Sequence, residues 1–106
     1  MKDPFLYGTF TNEFQPHEFY LSQNYPNPFR GKTAIKYCVP YKTRVRLTIY
    51  NSAGEEIEKL VDEEKKPGTY EVAFQLAGSL QLAMEEYIYR FEAGGYSCDK
   101  KMIHLQ

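Results

Sequence analysis

The chain predicts an all-β protein, an antiparallel β-sandwich of about seven strands, and three observations carry that prediction. From Thr33 onward, segment after segment alternates apolar and polar residues with period two. Turn signals built from Gly and Pro separate these segments at spacings of roughly ten residues. Ten Tyr and seven Phe, with no Trp, favour pleated and half-buried surfaces.

A length of 106 residues is that of one domain. Hydrophobic content of 42% and charged content of 25% are those of an ordinary globule. The net charge of −1 makes no electrostatic case for a nucleic acid or an anionic membrane surface. No apolar run approaches the ~20 residues of a membrane span. Met1-Lys2-Asp3-Pro4 leads into Phe5-Leu6-Tyr7-Gly8, which is too short and polar for the apolar core of a signal peptide. Cys38 and Cys98 are too few for a disulfide framework and wrongly spaced for zinc, and a single bridge between them stays open.

Residues 1–18 lack a clear period and read as an N-terminal arm or linker ahead of a domain at 19–106. The other reading makes Phe5 to Phe10 an extra strand, on this domain or on a neighbour. Gln23-Asn24-Tyr25-Pro26-Asn27-Pro28-Phe29 follows, with two prolines two positions apart. Each fixes φ and removes a backbone donor, pushing Tyr25 and Asn27 toward extended geometry. The segment reads as a rigid lead-in that carries Tyr25 and Phe29 against the strands behind it. Asn24 and Asn27 read as turn-stabilising side chains.

Thr33–Val39 puts Ile35, Tyr37 and Val39 on one face and Cys38 on the other, and Pro40 stops it. Arg44–Tyr50 turns Val45, Leu47 and Ile49 inward and Arg44, Arg46 and Thr48 outward. Asn51-Ser52-Ala53-Gly54 is a hairpin turn, with Gly54 at a positive φ that closes a bulged loop. Glu55–Val61 alternates imperfectly, as a bulged edge strand does. Pro67-Gly68 turns the chain into Thr69–Phe74, which buries Tyr70, Val72 and Phe74. One turn of helix or a loop spans Leu80 to Glu86. Tyr87–Phe91, the turn at Gly94-Gly95 and a last strand near Tyr96 to Leu105 complete the pattern.

Five pieces in order resemble the C-terminal sorting domain (type A) of type IX secretion cargo. They are Leu21-x-Gln23-Asn24-Tyr25-Pro26-Asn27-Pro28-Phe29 with Thr33-x-Ile35-x-Tyr37; Leu47-x-Ile49-Tyr50-x-x-x-Gly54; Pro67-Gly68-x-Tyr70-x-Val72; Tyr87-x-Tyr89-Arg90; and Lys100-Lys101-Met102. The resemblance covers about residues 20–106. It implies an immunoglobulin-like sandwich, similar to that of the flagellar hook-capping protein. It further implies secretion or display on the surface of a Gram-negative bacterium, of the Bacteroidetes type or a relative. The implied partner is the outer-membrane secretion machinery, which would read Lys100, Lys101 and Met102.

Catalytic chemistry is not legible. His17 and His104 have no ligand-like spacing to a Cys, Asp or second His. Glu55-Glu56, Glu63-Glu64 and Glu85-Glu86 put neighbouring carboxylates on opposite faces of a strand or into solvent, whereas an acid/base pair must converge on one substrate atom. No Gly-rich phosphate loop, nucleophile elbow or zinc-hydrolase motif is present. The expectation is a non-enzymatic monomer with no cofactor and no metal. Two alternatives stay open. One is a structural subunit that donates its N-terminal arm to a neighbouring copy as a strand. The other is a carbohydrate- or protein-binding module with a platform of Tyr41, Tyr50, Tyr89 and Tyr96. Lys42, Arg44 and Arg46 form a basic stripe, with Glu55, Glu56 and Glu58 as its expected counter-charges.

Overall fold

Alternation forces one face of each strand out of water, and two such sheets bury their apolar faces against each other. The computed structural model describes residues 16–76 and 85–105. It contains β1 (Tyr20–Leu21), β2 (Lys32–Val39), β3 (Thr43–Asn51), β4 (Glu56–Lys65), β5 (Gly68–Gln75), β6 (Glu85–Ala93) and β7 (Tyr96–His104). The order β1-β2-β5 makes one sheet and β4-β3-β6-β7 the other, all neighbours antiparallel. Among the described residues this is the expected antiparallel β-sandwich of seven strands.

The inward residues are those the alternation selects. Ile35, Tyr37 and Val39 of β2 and Phe74 of β5 face Val45, Leu47 and Ile49 of β3 and Tyr87, Tyr89, Phe91 and Ala93 of β6, and all are buried. Tyr70 and Val72 pack at the margin of this core. Aromatic rings supply the contacts between sheets, with Tyr37 centred 5.3 Å from Phe91 and Phe74 6.1 Å from Tyr87. Fully burying a side chain of Phe size contributes roughly 1.5–3 kcal/mol, so this cluster is the main stabilising term of the fold.

The turns follow their residues. Asn51 Oδ1 accepts from the amides of Ala53 and Glu55, each at 2.9 Å, and Gly54 closes the loop at φ 86°. Gly94 and Gly95 take φ 54° and 87°, the double positive φ of a two-residue hairpin whose twist matches its strands. β4 is a bulged edge strand, with register shifts opposite Leu47/Thr48 and Ile49/Tyr50, and it runs on to Lys65. Those shifts break its alternation and leave Ile57 exposed.

Several expectations are corrected. Thr48 lies on the same face as Arg44 and Arg46 but is buried, set in register between Lys59 of β4 and Arg90 of β6. The counter-charges of the basic stripe are Asp62 and Glu64, because antiparallel register sets Arg46 opposite Asp62 and Arg44 opposite Glu64. Arg44 and Arg46 both reach Asp62 (3.0 and 3.5 Å), and Lys42 reaches Glu64 at 3.8 Å. Partial burial pushes the Asp62 carboxyl up, yet the hydrogen bond and charge of Arg44, with those of Arg46, hold it below the usual carboxylate range. Cys38 and Cys98 are free thiols in different sheets. The extra strand expected at Phe5 to Phe10 and most of the segment Leu80 to Glu86 lie outside the described residues, while Glu85 and Glu86 open β6.

Candidate functional site at the loop and the last strand

Two of the five stretches singled out from the sequence, the first and the last, meet. The loop Gln23–Phe29 runs along the edge of β7, which is the outermost strand of its sheet among the described residues. Gln23 donates from Nε2 to the Lys101 carbonyl at 2.7 Å. The Ile103 amide donates to Asn27 Oδ1 at 2.9 Å. The Phe29 amide donates to the Ile103 carbonyl at 2.9 Å, and the Leu105 amide to the Phe29 carbonyl at 2.8 Å. Phe29 and His104 thus form a bridge of parallel sense, with ring centroids 5.2 Å apart.

The loop is itself fixed from inside. Asn24 is buried and donates from Nδ2 to the Pro26 carbonyl (3.1 Å) and to Thr33 Oγ1 (3.0 Å), while its Oδ1 accepts from Gln23 Nε2 at 2.7 Å. Thr33 Oγ1 donates to the same Pro26 carbonyl at 2.8 Å. The Tyr25–Pro26 and Asn27–Pro28 peptide bonds are cis. Asn24 and Asn27 are therefore turn-stabilising side chains, but Asn27 satisfies a partner strand and not its own turn. Tyr89, from β6, donates its hydroxyl to the Ser22 carbonyl at 2.7 Å and ties the start of the loop to the core.

Each residue singled out from the sequence now has a place. Phe29 is buried as expected and docks on Phe74, but Tyr25 is 81% exposed and does not pack behind the loop. The reason is register: Tyr25 pairs with Ala34, whose side chain is on the outer face of β2. Pro26, Asn27 and Pro28 are exposed. Pro67, Gly68 and Tyr70 form the β4–β5 turn, where the Tyr70 hydroxyl donates to the Lys66 carbonyl at 2.6 Å. Gly54 stands at the other end of β4, in the hairpin that joins it to β3. Tyr87 is a core residue that donates to Glu85 Oε1 at 2.6 Å.

The terminal residues divide. Lys101 is exposed, whereas Lys100 lies half-buried on the inner face opposite Tyr89, and Met102 is fully buried at 0%. As one goes along a strand, consecutive side chains point to opposite faces, so Lys100, Lys101 and Met102 cannot all face a partner on the folded domain. The proposed platform of four tyrosines is also dispersed. Tyr89 is in the core, Tyr50 lies beneath the Arg90 guanidinium (5.3 Å), and Tyr96 stacks on Phe19 at 5.4 Å; of the four, Tyr41 alone is largely exposed.

Sequence reasoning missed two participants. Gln23 and the Ile103 backbone act through contacts 78 and 76 residues away in sequence, for which no local signal exists. His104, read from the sequence as a surface or packing residue, is a packing residue that shields Phe29, and its buried Nδ1 has no hydrogen-bond partner among the described residues. Among those residues no group of three His, Cys, Asp or Glu could hold a metal ion. No helix there is long and apolar enough to cross a membrane. No family model, curated protein or solved structure matches the chain.

Proposed function

We propose that this chain is a non-catalytic sorting-type domain that directs the export and surface attachment of a secreted protein in a Gram-negative bacterium. The observation that supports the reading is the junction just described, in which the Asn24–Phe29 loop is hydrogen-bonded to the strand that bears Lys101. A folded domain that is read by secretion machinery needs its address held in one conformation, because an edge strand near a chain end otherwise frays. The loop supplies that restraint through four hydrogen bonds to β7 and Leu105. It leaves the Lys101 side chain exposed for the outer-membrane partner.

The test fuses the 106-residue chain to a reporter exported to the periplasm of a bacterium that has type IX secretion, and measures reporter on the cell surface. Surface delivery that depends on the fused domain is the expected result. A folded fusion that stays in the periplasm overturns the proposal.

A further inference from the structure

The exposed face of the β1-β2-β5 sheet carries two aromatic rings that the fold does not use. Tyr25 is 81% exposed and Tyr20 55% exposed. Their register partners on β2 are Ala34 and Cys38, which lie on one face four residues apart, so the two tyrosines stand about 13 Å apart along the strand. Tyr25 borders a cleft of about 320 Å³, lined by Ser22, Gln23, Tyr25, Ala34, Lys36 and Glu71, and Tyr20 lies on the same face outside this lining.

We infer that this cleft binds a neutral linear oligosaccharide, with Tyr25 as the stacking platform in its wall and Tyr20 as a second platform further along the same face of the sheet. The C–H face of a pyranose ring is apolar and its rim carries hydroxyls, which matches an exposed tyrosine ring bordered by polar groups. The lining supplies such a rim. Ser22 Oγ accepts from the Lys36 amide at 2.9 Å, which leaves the hydroxyl's own proton as a donor. Lys36 and Glu71 sit directly opposite each other in register and offer a donor and an acceptor with no net charge. A cleft without surplus charge favours a neutral chain over a polyanionic one.

Preorganisation separates Tyr25 from a tyrosine that is merely on the surface. Its amide donates to the Ala34 carbonyl at 2.9 Å and its carbonyl accepts from the Ala34 amide at 3.0 Å. The base of the ring is thus fixed by the fold while the ring itself makes no contribution to the core. A ligand that stacks there meets a side chain on an already ordered backbone, which lowers the entropy lost on binding.

The experiment titrates the purified 106-residue chain with the linear β-linked hexasaccharides of glucose, xylose and mannose by calorimetry, and maps binding by amide chemical shifts. At least one sugar is expected to bind, with shifts at Ser22, Tyr25, Ala34, Lys36 and Glu71. Tyr25→Ala should weaken that binding by roughly tenfold or more, a change worth about 1.4 kcal/mol, and Tyr20→Ala should weaken it less. Both rings are exposed, so both variants should keep the parent melting midpoint. Binding by none of the hexasaccharides overturns the inference. So does binding that survives Tyr25→Ala, or a preference for a proline-rich peptide or a sulfated glycan at the same residues.

Discussion

Ile103 and Asn27 lie 76 residues apart in sequence, and the amide of the first donates to the side-chain oxygen of the second at 2.9 Å. The bond places an Asx side chain where a neighbouring strand would supply a carbonyl, so the loop takes the position of a paired strand beside this part of β7. Asn27→Ala removes that acceptor from an exposed position and should cost about 1 kcal/mol. Asn24→Ala should cost more, about 2 kcal/mol, because it removes a buried amide that links the Pro26 carbonyl, Thr33 and Gln23. Urea denaturation gives the two values, and an equal or inverted order would show that the loop is not held from its buried side. Hydrogen exchange at the Ile103 amide should accelerate in Asn27→Ala before global unfolding.

The sandwich was readable in the sequence because its signals are local. Alternation in Thr33–Val39 and Arg44–Tyr50 assigns faces without knowledge of any partner, and Gly94-Gly95 declares its hairpin by composition. What was not readable depends on register. Tyr25 looked like a packing residue until its pairing with Ala34 turned it outward. Asp62 replaces the expected Glu55, Glu56 and Glu58 as counter-charge because an antiparallel hairpin pairs the far end of β4 with the near end of β3. The resemblance offers Lys100 and Lys101 alike to a partner, and pairing with β6 decides that Lys100 is on the inner face. The contacts of Gln23, Asn27 and Phe29 with β7 are tertiary, and nothing in the loop's own residues names their partners.

Two glycine turns separate backbone strain from steric clash. Gly54 holds φ 86° with nothing near a prospective Cβ, so Gly54→Val should destabilise by strain alone, about 1–2 kcal/mol. Gly94 has φ 54° and a prospective Cβ that would lie 2.6 Å from the Tyr41 hydroxyl and 2.7 Å from Phe19. Gly94→Ala must displace the Phe19 ring from its stack on Tyr96 and should cost more than Gly95→Ala, whose Cβ meets nothing. Thermal melts rank the three, and similar midpoints for Gly94→Ala and Gly95→Ala would refute the packing of Phe19 over that turn.

Alkaline stability follows from two buried phenols. Burial pushes the Tyr37 hydroxyl up to about 12 from 10.0, with Tyr70 and Glu63 adding to the shift, and burial raises Tyr89 as well. Between pH 10 and 12 the unfolded chain therefore loses protons that the folded state still holds. This stabilisation is complete below pH 10 and is lost as pH rises through 12. The urea midpoint should fall across that window, and Tyr37→Phe should flatten the fall without removing the contribution of Tyr89. A slope identical in the parent and in Tyr37→Phe would mean that Tyr37 ionises on the surface.

The division between Lys100, Lys101 and Met102 makes the sorting proposal separable from folding. Deleting residues 100–106 removes half of β7 together with the partners of Gln23, Asn27 and Phe29, so it should unfold the domain and says nothing specific about recognition. Met102→Ala opens a cavity at a fully buried site and should cost about 2–5 kcal/mol, again a folding effect. Lys101→Ala changes only an exposed side chain, because its bond to Gln23 is made through the backbone carbonyl. It should leave the stability within about 0.5 kcal/mol of the parent and reduce surface delivery of the fused reporter. Lys100→Ala, on the inner face, should lower stability more than it lowers delivery per folded molecule. Full delivery by a stable Lys101→Ala variant would remove this residue from the proposed address.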